Sequence, residues 1–332
     1  MSPKIITVVG ITGIQGGSVA DVFLKDPSYK VRGISRDPSK PSGKAWTEKG
    51  VEMVAANLDD LDSLTSAFKR SSVIFGVTDF WQHMFNPANH EKANRVGKTI
   101  NEIAYDLEVQ QGKNIVDAAA KTVDTLDRFV LSTASDAKKW SHGEITWAYH
   151  FDAKWVAVEY LKEHYPELWK KTSLLLVGVY ANNFARPGPI SPQKQSDGSW
   201  VLRLPCKADA PVPFIVTHKD TGYMVRGLVQ SPPGKTLLGV GEMISFKEWA
   251  AKWGKLVVNQ ECKYEESAVE ELDNTMPGGM GREIGEMFLY MGEYGYDGGD
   301  PSVVHPKDVS EDRRKVNVGV LSRLTISTSS LA

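Results

Sequence analysis

Only two cysteines, Cys206 and Cys262, occur among 332 residues, and they stand far apart in no metal-ligand spacing. That excludes a disulfide-stapled scaffold and a cysteine-built zinc site, and it fits a reducing compartment. An excess of one charge is also missing. The 39 Lys and Arg are matched by 41 Asp and Glu, for a net charge of −2. Such a balance argues against the basic face that nucleic acid would require. No apolar run approaches the ~20 residues of a membrane span. The first strand pattern begins near Lys4, which leaves no room for a secretory signal peptide and makes a cytoplasmic location the expectation. His83 and His90, with Glu91 beside the second, have no evident third partner, so no metal site is expected.

Against these absences stands a hydrophobic content of 41%. That suffices for one large domain, or for a domain with a smaller lobe. Strand and helix patterns alternate through the first half. Strands are expected at Ile5–Val9, Tyr29–Ser35, Val51–Ala55, Val73–Val77, Arg128–Leu131 and Ser173–Val179. Helices are expected at Leu61–Lys69, from about Asn89 to Lys121 as one long element, and at Trp147–His164. This alternation predicts an α/β fold of Rossmann type, a doubly wound parallel sheet with helices on both faces. Residues 1–180 would form the nucleotide-binding domain. Residues 181–310 would form a smaller substrate lobe interleaved with the sheet, and 311–332 a polar tail. Helical patterns return at Asp220–Val229 and Phe246–Leu256, while the glycine-rich 276–300 region reads as mobile loops fit for a lid.

The most specific signal lies at the start. The β-branched run from Ile5 to Val9 leads into Gly10-x-x-Gly13-x-x-Gly16, and an apolar helical pattern follows. A strand, a glycine turn and a helix N-terminus in that order suit a dinucleotide diphosphate, which needs close backbone approach and free N–H groups. Thr12, Ile14 and Gln15 belong to the same loop. The end of the second strand decides the expected cofactor. An Asp or Glu there usually holds a ribose 2′-OH, but this chain reads Ser35-Arg36-Asp37-Pro38-Ser39-Lys40. Arg36 and Lys40 can neutralise a 2′-phosphate and Ser35 can donate to it, which favours NADP. Asp37 comes one residue late and would face solvent or cap a turn. Asn57 and Leu58 open a polar turn that either lies beside the adenine or merely precedes a helix capped by Asp59 or Asp60. Gly76, Val77 and Thr78, at the C-terminal edge of the fourth strand, would border the cofactor. Phe80 and Trp81 would wall a substrate pocket.

Taken together the motifs resemble the NmrA-like family of atypical short-chain dehydrogenases. The resemblance rests on Gly10-Ile11-Thr12-Gly13-Ile14-Gln15-Gly16, the Arg36 loop and Gly112-Lys113-Asn114-Ile115-Val116-Asp117-Ala118-Ala119. It rests also on His150-Phe151-Asp152-Ala153-Lys154 and Val179-Tyr180-Ala181-Asn182-Asn183-Phe184. It implies one of two functions. Some members are NAD(P)-sensing regulators without known catalysis, which act through a protein partner. Others, frequent in fungal secondary metabolism, are treated as NADPH-dependent reductases of small molecules. A redox-neutral isomerase or cyclase on the same scaffold is a third possibility.

Ordinary short-chain dehydrogenases carry Tyr-x-x-x-Lys on the helix after strand five, with both side chains on one face. Here the frame reads His150-x-x-x-Lys154, and Tyr149 is out of register. Lys154 would bind the nicotinamide ribose or stabilise an oxyanion, and His150 would supply the proton, unless it is only a packing residue. Ser132 and Ser135, with Thr133, end strand five where the superfamily places a carbonyl-polarising serine. Their alternative role is to satisfy backbone groups. Tyr180, Asn183 and Phe184 join Phe80 and Trp81 as the expected pocket. The favoured expectation is an NADPH-dependent reductase of a small apolar carbonyl or conjugated-alkene compound.

Overall fold

A computed structural model describes residues 2–184 and 187–309 of the chain. The polar tail expected at 311–332 lies outside the described residues. Among the described residues the central sheet has eight strands. We number the first six β1 (Lys4–Val8), β2 (Tyr29–Ser35), β3 (Glu52–Ala55), β4 (Val73–Gly76), β5 (Arg128–Thr133) and β6 (Thr172–Val177). The spatial order is β3-β2-β1-β4-β5-β6, continued by Thr236–Gly239 and Val303–Val304, and every pairing is parallel. The chain winds outward from β1 in one direction and from β4 in the other. The crevice between those two strands is therefore the ligand site that an open α/β sheet provides. The segment after residue 180 returns twice to complete this sheet.

Alternation along the strands sorts side chains to the two faces. Ile6, Val8, Val130 and Leu175 pack beneath α1 (Ile14–Phe23) and the Thr217–Gln230 helix. Phe129, Leu131 and Leu174 pack on the other face, against Leu64, Phe68, Ile115, Val116 and Leu161 from three further helices. A separate aromatic core fills the lobe, where Phe184, Phe214, Phe246, Trp249 and Phe288 lie mostly in edge or tilted contact. Trp200, Phe214, Phe246 and Trp249 are thus packing residues, and none of them lines the cavity described below. Among the described residues no helix is long and apolar enough to cross a membrane.

Three expectations need correction. The single helix from Asn89 to Lys121 is two helices, Pro87–Val96 and Ile100–Ala120. Gly97 ends the first in the left-handed conformation at φ 68°. Thr99 and Glu102 start the second with a reciprocal capping box. The helix expected from Trp147 begins at Tyr149. Most consequentially, the expected lid contains the helix Met280–Tyr294, with Phe288, Tyr290 and Met291 buried in the lobe core. Its flanking glycines act as helix punctuation: Gly279 precedes it at φ 86° and Gly295 ends it at φ 82°.

The approach of α1 to the Thr217–Gln230 helix sets how tightly the first glycine loop is supported. Gly222 donates its N–H to Ser18 Oγ at 3.0 Å, and a Cβ on Gly222 would come within 2.2 Å of the Ser18 carbonyl oxygen. Gly222→Ala should force the two helices apart and cost about 1–3 kcal/mol. Gly188→Ala, where the added carbon meets nothing within 4 Å, should change stability by less than about 0.5 kcal/mol. Urea denaturation of both variants measures the difference.

Candidate functional site

A cavity of about 910 Å³ runs from the glycine loop to the lobe. Its first end is built at the switch point. Gly10 turns the chain at φ 63°, and a Cβ on Gly16 would lie 2.3 Å from the Gly10 carbonyl oxygen. Only glycine permits this fold of the loop onto the start of α1. That helix has no side-chain cap and no acid in its first turn. Its N-terminal N–H groups and positive dipole end therefore face the cavity without an anion from the helix's own cap or first turn, as a diphosphate would require.

Most of the sequence-predicted residues come together around this space. Gly10, Thr12, Gly13, Ile14, Gln15, Gly16, Ser35, Arg36, Lys40, Asn57, Leu58, Val77 and Thr78 line the nucleotide end. Phe80, Trp81, Ser132, Thr133, His150, Lys154, Tyr180, Asn183 and Phe184 line the remainder. Gly76 and Ser135 do not. Gly76 turns its Cα hydrogens into the core, where a Cβ would meet Ile115, Phe129 and Leu131. Ser135 Oγ donates to the Tyr296 carbonyl at 2.9 Å and lies 3.0 Å from Tyr290 Oη, so it ties the C-terminal segment to the end of β5.

At the nucleotide end, Arg36 is exposed, whereas Arg32 is buried and paired with Glu52 at 3.1 Å. Asp37 accepts from Ser39 N at 2.9 Å and Ser39 Oγ at 2.5 Å. Those two hydrogen bonds hold its carboxyl below the usual carboxylate range and commit it to a local turn. The readings of the third-strand turn divide between residues. Asp60 caps the Leu61–Phe68 helix, accepting from Asp62 N and Ser63 N, while Asp59 accepts from Gln111 Nε2 at 2.8 Å. His83 lies 3.2 Å from Gln111 Oε1 through Nε2, and His90 Nε2 lies 2.8 Å from the Met84 carbonyl oxygen.

Gln15 joins three parts of the site. Ser132 Oγ donates to Gln15 Oε1 at 2.7 Å, and Gln15 Nε2 donates to Tyr180 Oη at 2.7 Å. Burial pushes the Tyr180 phenol up to about 12, so it is a neutral hydroxyl in the cavity wall. Lys154, from the Tyr149–His164 helix, pairs with the fully buried Glu108 and lies 3.3 Å from Thr78 Oγ1. The second Glu108 oxygen is buried and has no hydrogen-bond partner. His150 Nδ1 lies 2.6 Å from Glu283 Oε1. Burial, reinforced by the Asp136 and Glu283 carboxylates, raises Asp152 on the same helix to about 6.

Sequence reasoning missed Glu108 and Glu283, and it missed the far wall formed by Met280, Ile284, Met287 and Phe288. The wall residues recur at helical spacing, a signal that was present but overshadowed by the flanking glycines. Glu108 and Glu283 carried no comparable mark, because a carboxylate in an amphipathic helix ordinarily faces water.

Comparison with known proteins follows the same lines. The chain is 29% identical over 262 residues to the NmrA-like family domain-containing oxidoreductase cpsB of Aspergillus campestris, covering 74% of this chain and 71% of that one. It shares the fold of NmrA, a negative transcriptional regulator solved in complex with NADP. That match has a TM-score of 0.66 at 17% identity and covers 87% of this chain and 83% of NmrA. It shares the fold also of the Citrobacter triphenylmethane reductase complexed with NADP(H), with a TM-score of 0.64 at 14% identity and 99% of both chains covered. The family model described as NmrA-like matches residues 2–315. On this near-complete match, the chain belongs to the NmrA-like family.

Proposed function

We propose that the chain is an NADPH-dependent reductase of a small apolar compound bearing a carbonyl or a conjugated alkene. The observation that carries this reading is one continuous cavity, which joins the glycine loop to an aromatic and thioether-lined end with Lys154 and His150 between them. Relatives described as oxidoreductases support it. A regulator that only senses the cofactor has support from His150 in the place of the tyrosine of ordinary short-chain dehydrogenases, and NmrA itself is described as a negative transcriptional regulator. Such a sensor has no need of the enclosed apolar end walled by Phe80, Trp81, Phe184 and Met287.

In this reading the uncapped N-terminus of α1 and the glycine loop hold the diphosphate. Arg36, Lys40 and Ser35 take the 2′-phosphate, since Asp37 is engaged in its own turn and Arg32 in its ion pair with Glu52. When bound, NADPH supplies the hydride. Lys154, steadied by Glu108 and Thr78, holds a fixed positive charge beside the ribose hydroxyls and the developing oxyanion. His150 delivers the proton that balances the hydride. The Phe80 and Trp81 rings exclude water from the reacting carbon.

Arg36→Ala should weaken NADP(H) binding at least about tenfold more than NAD(H) binding, the loss of one charge-assisted contact. Calorimetric titration with both cofactors checks it, and equal losses would refute the 2′-phosphate assignment. NADPH oxidation with quinones, enones and aromatic ketones tests the enzyme reading itself. Tight cofactor binding with no turnover on the whole panel would instead favour the sensor. Lys154→Met should lower kcat/KM about 100-fold or more. It also strands Glu108 as a buried, unpaired charge, at a cost of about 3–5 kcal/mol. The double variant Lys154→Met with Glu108→Gln should regain stability but not turnover. Recovery of activity in that protein would remove Lys154 from the chemistry.

A further inference from the structure

The Met280–Tyr294 helix brings a fully buried carboxylate to His150, the one histidine among the described residues that lines the cavity. Glu283 Oε1 accepts from the His150 backbone N–H at 2.8 Å and lies 2.6 Å from His150 Nδ1. Glu283 Oε2 accepts from Asn101 Nδ2 at 2.9 Å. An ionised carboxylate only accepts hydrogen bonds, so the contact at Nδ1 requires a proton on that nitrogen. The other ring nitrogen, Nε2, lies 3.3 Å from the thioether of Met287, a weak acceptor that also lines the cavity. Trp81 and Phe80 lie against the ring with centroid distances of 5.1 and 5.9 Å, which fixes its plane.

We infer that Glu283 is a positioning residue. It holds the His150 proton on Nδ1 and presents Nε2 to the apolar end of the cavity, where Nε2 exchanges a proton with substrate. The proton exchange rests on the reductase reading, whereas the fixed tautomer does not. In the reducing direction the imidazolium Nε2–H bond breaks and its electron pair stays on nitrogen. The proton forms an O–H bond at the oxygen that has gained charge, or a C–H bond at the carbon conjugated to it. Neutral His150 then keeps Nδ1–H donated to Glu283 and regains its second proton from water. A carboxylate that orients a histidine by its far nitrogen is a general device for selecting one tautomer.

Glu286, one turn further on, supplies the contrast. Its Oε2 accepts the backbone N–H groups of Thr146 and Trp147, both at 2.8 Å, and it touches no titrating ring. It carries the structural part of the contact alone.

The test is ¹⁵N–¹H correlation NMR of the histidine rings in the full chain without cofactor, at a pH where His150 is neutral, with assignment by His150→Asn. The wild type should show the Nδ1–H tautomer. Glu283→Gln keeps an oxygen acceptor for the backbone N–H, and a turn of the Asn101 amide, at the expense of its 3.3 Å bond to the Gly279 carbonyl, would bring Oδ1, buried without a partner, to the new amide. It should remain folded, and because the neutral amide oxygen that replaces Oε1 accepts from Nδ1–H more weakly than a carboxylate does, it should show a several-fold rise in the Nε2–H tautomer. It should also lose about 100-fold in kcat with NADPH KM unchanged. Glu286→Gln should leave the tautomer unchanged. A wild-type ring protonated at Nε2 would overturn the inference without any variant, and so would an unaltered tautomer in folded Glu283→Gln. A wild type with the Nδ1–H tautomer but no turnover on any compound would overturn the reductase reading and the proton exchange together. The positioned ring alone would then stand.

Discussion

Two carboxylates on one helix, Glu283 and Glu286, accept the N–H groups at the start of another. The Tyr149–His164 helix begins after Ala148, which has no side chain able to cap it. An uncapped helix start leaves N–H groups without partners, and burying them would be costly. Three of the N–H groups around this start, from Thr146, Trp147 and His150, go to the two glutamates. Hydrogen bonds to charged acceptors contribute about 1.5–3 kcal/mol each. The positive end of the helix dipole favours the same charges. The contact therefore stabilises both partners and sets where the lobe sits on the sheet.

Much of the site follows from that docking. Once Met280–Tyr294 is held against the helix carrying Lys154, its other residues Ile284, Met287 and Phe288 become the far wall of the cavity. Ser135 secures the end of the same segment through the Tyr296 carbonyl. Lys154 is steadied separately, by Glu108 from the Ile100–Ala120 helix. The nucleotide end is built by the sheet switch point, and the chemical end by helices gathered from distant parts of the chain. His150 and Lys154 stand at the seam between them.

The nucleotide end was legible because its constraints are local. Gly10, with its left-handed φ, and Gly16, where a Cβ would strike the Gly10 carbonyl, must be glycine for steric reasons that act within seven residues of one another. The strand before them and the helix after them carry their own periodicities. The same holds for Arg36, which follows β2 directly. Errors arose where a local signal had two meanings. Gly97 was passed over within one long expected helix, yet its left-handed turn and the Thr99 cap divide that helix in two. The glycines near 279 and 295 suggested a loop, although the apolar spacing between them was that of a helix.

The sequence by itself determined the parallel sheet, the places of its first six strands and the dinucleotide loop, since each depends on neighbours in the chain. It also marked His150 and Lys154 by their spacing on one helix. Only the tertiary structure decided what those two residues face. Glu283 lies 133 positions beyond His150 and Glu108 lies 46 before Lys154, and no periodicity links residues so far apart. A buried carboxylate is tolerated only where folding delivers its partner. The pairing that defines the chemistry here is therefore a property of the packed chain.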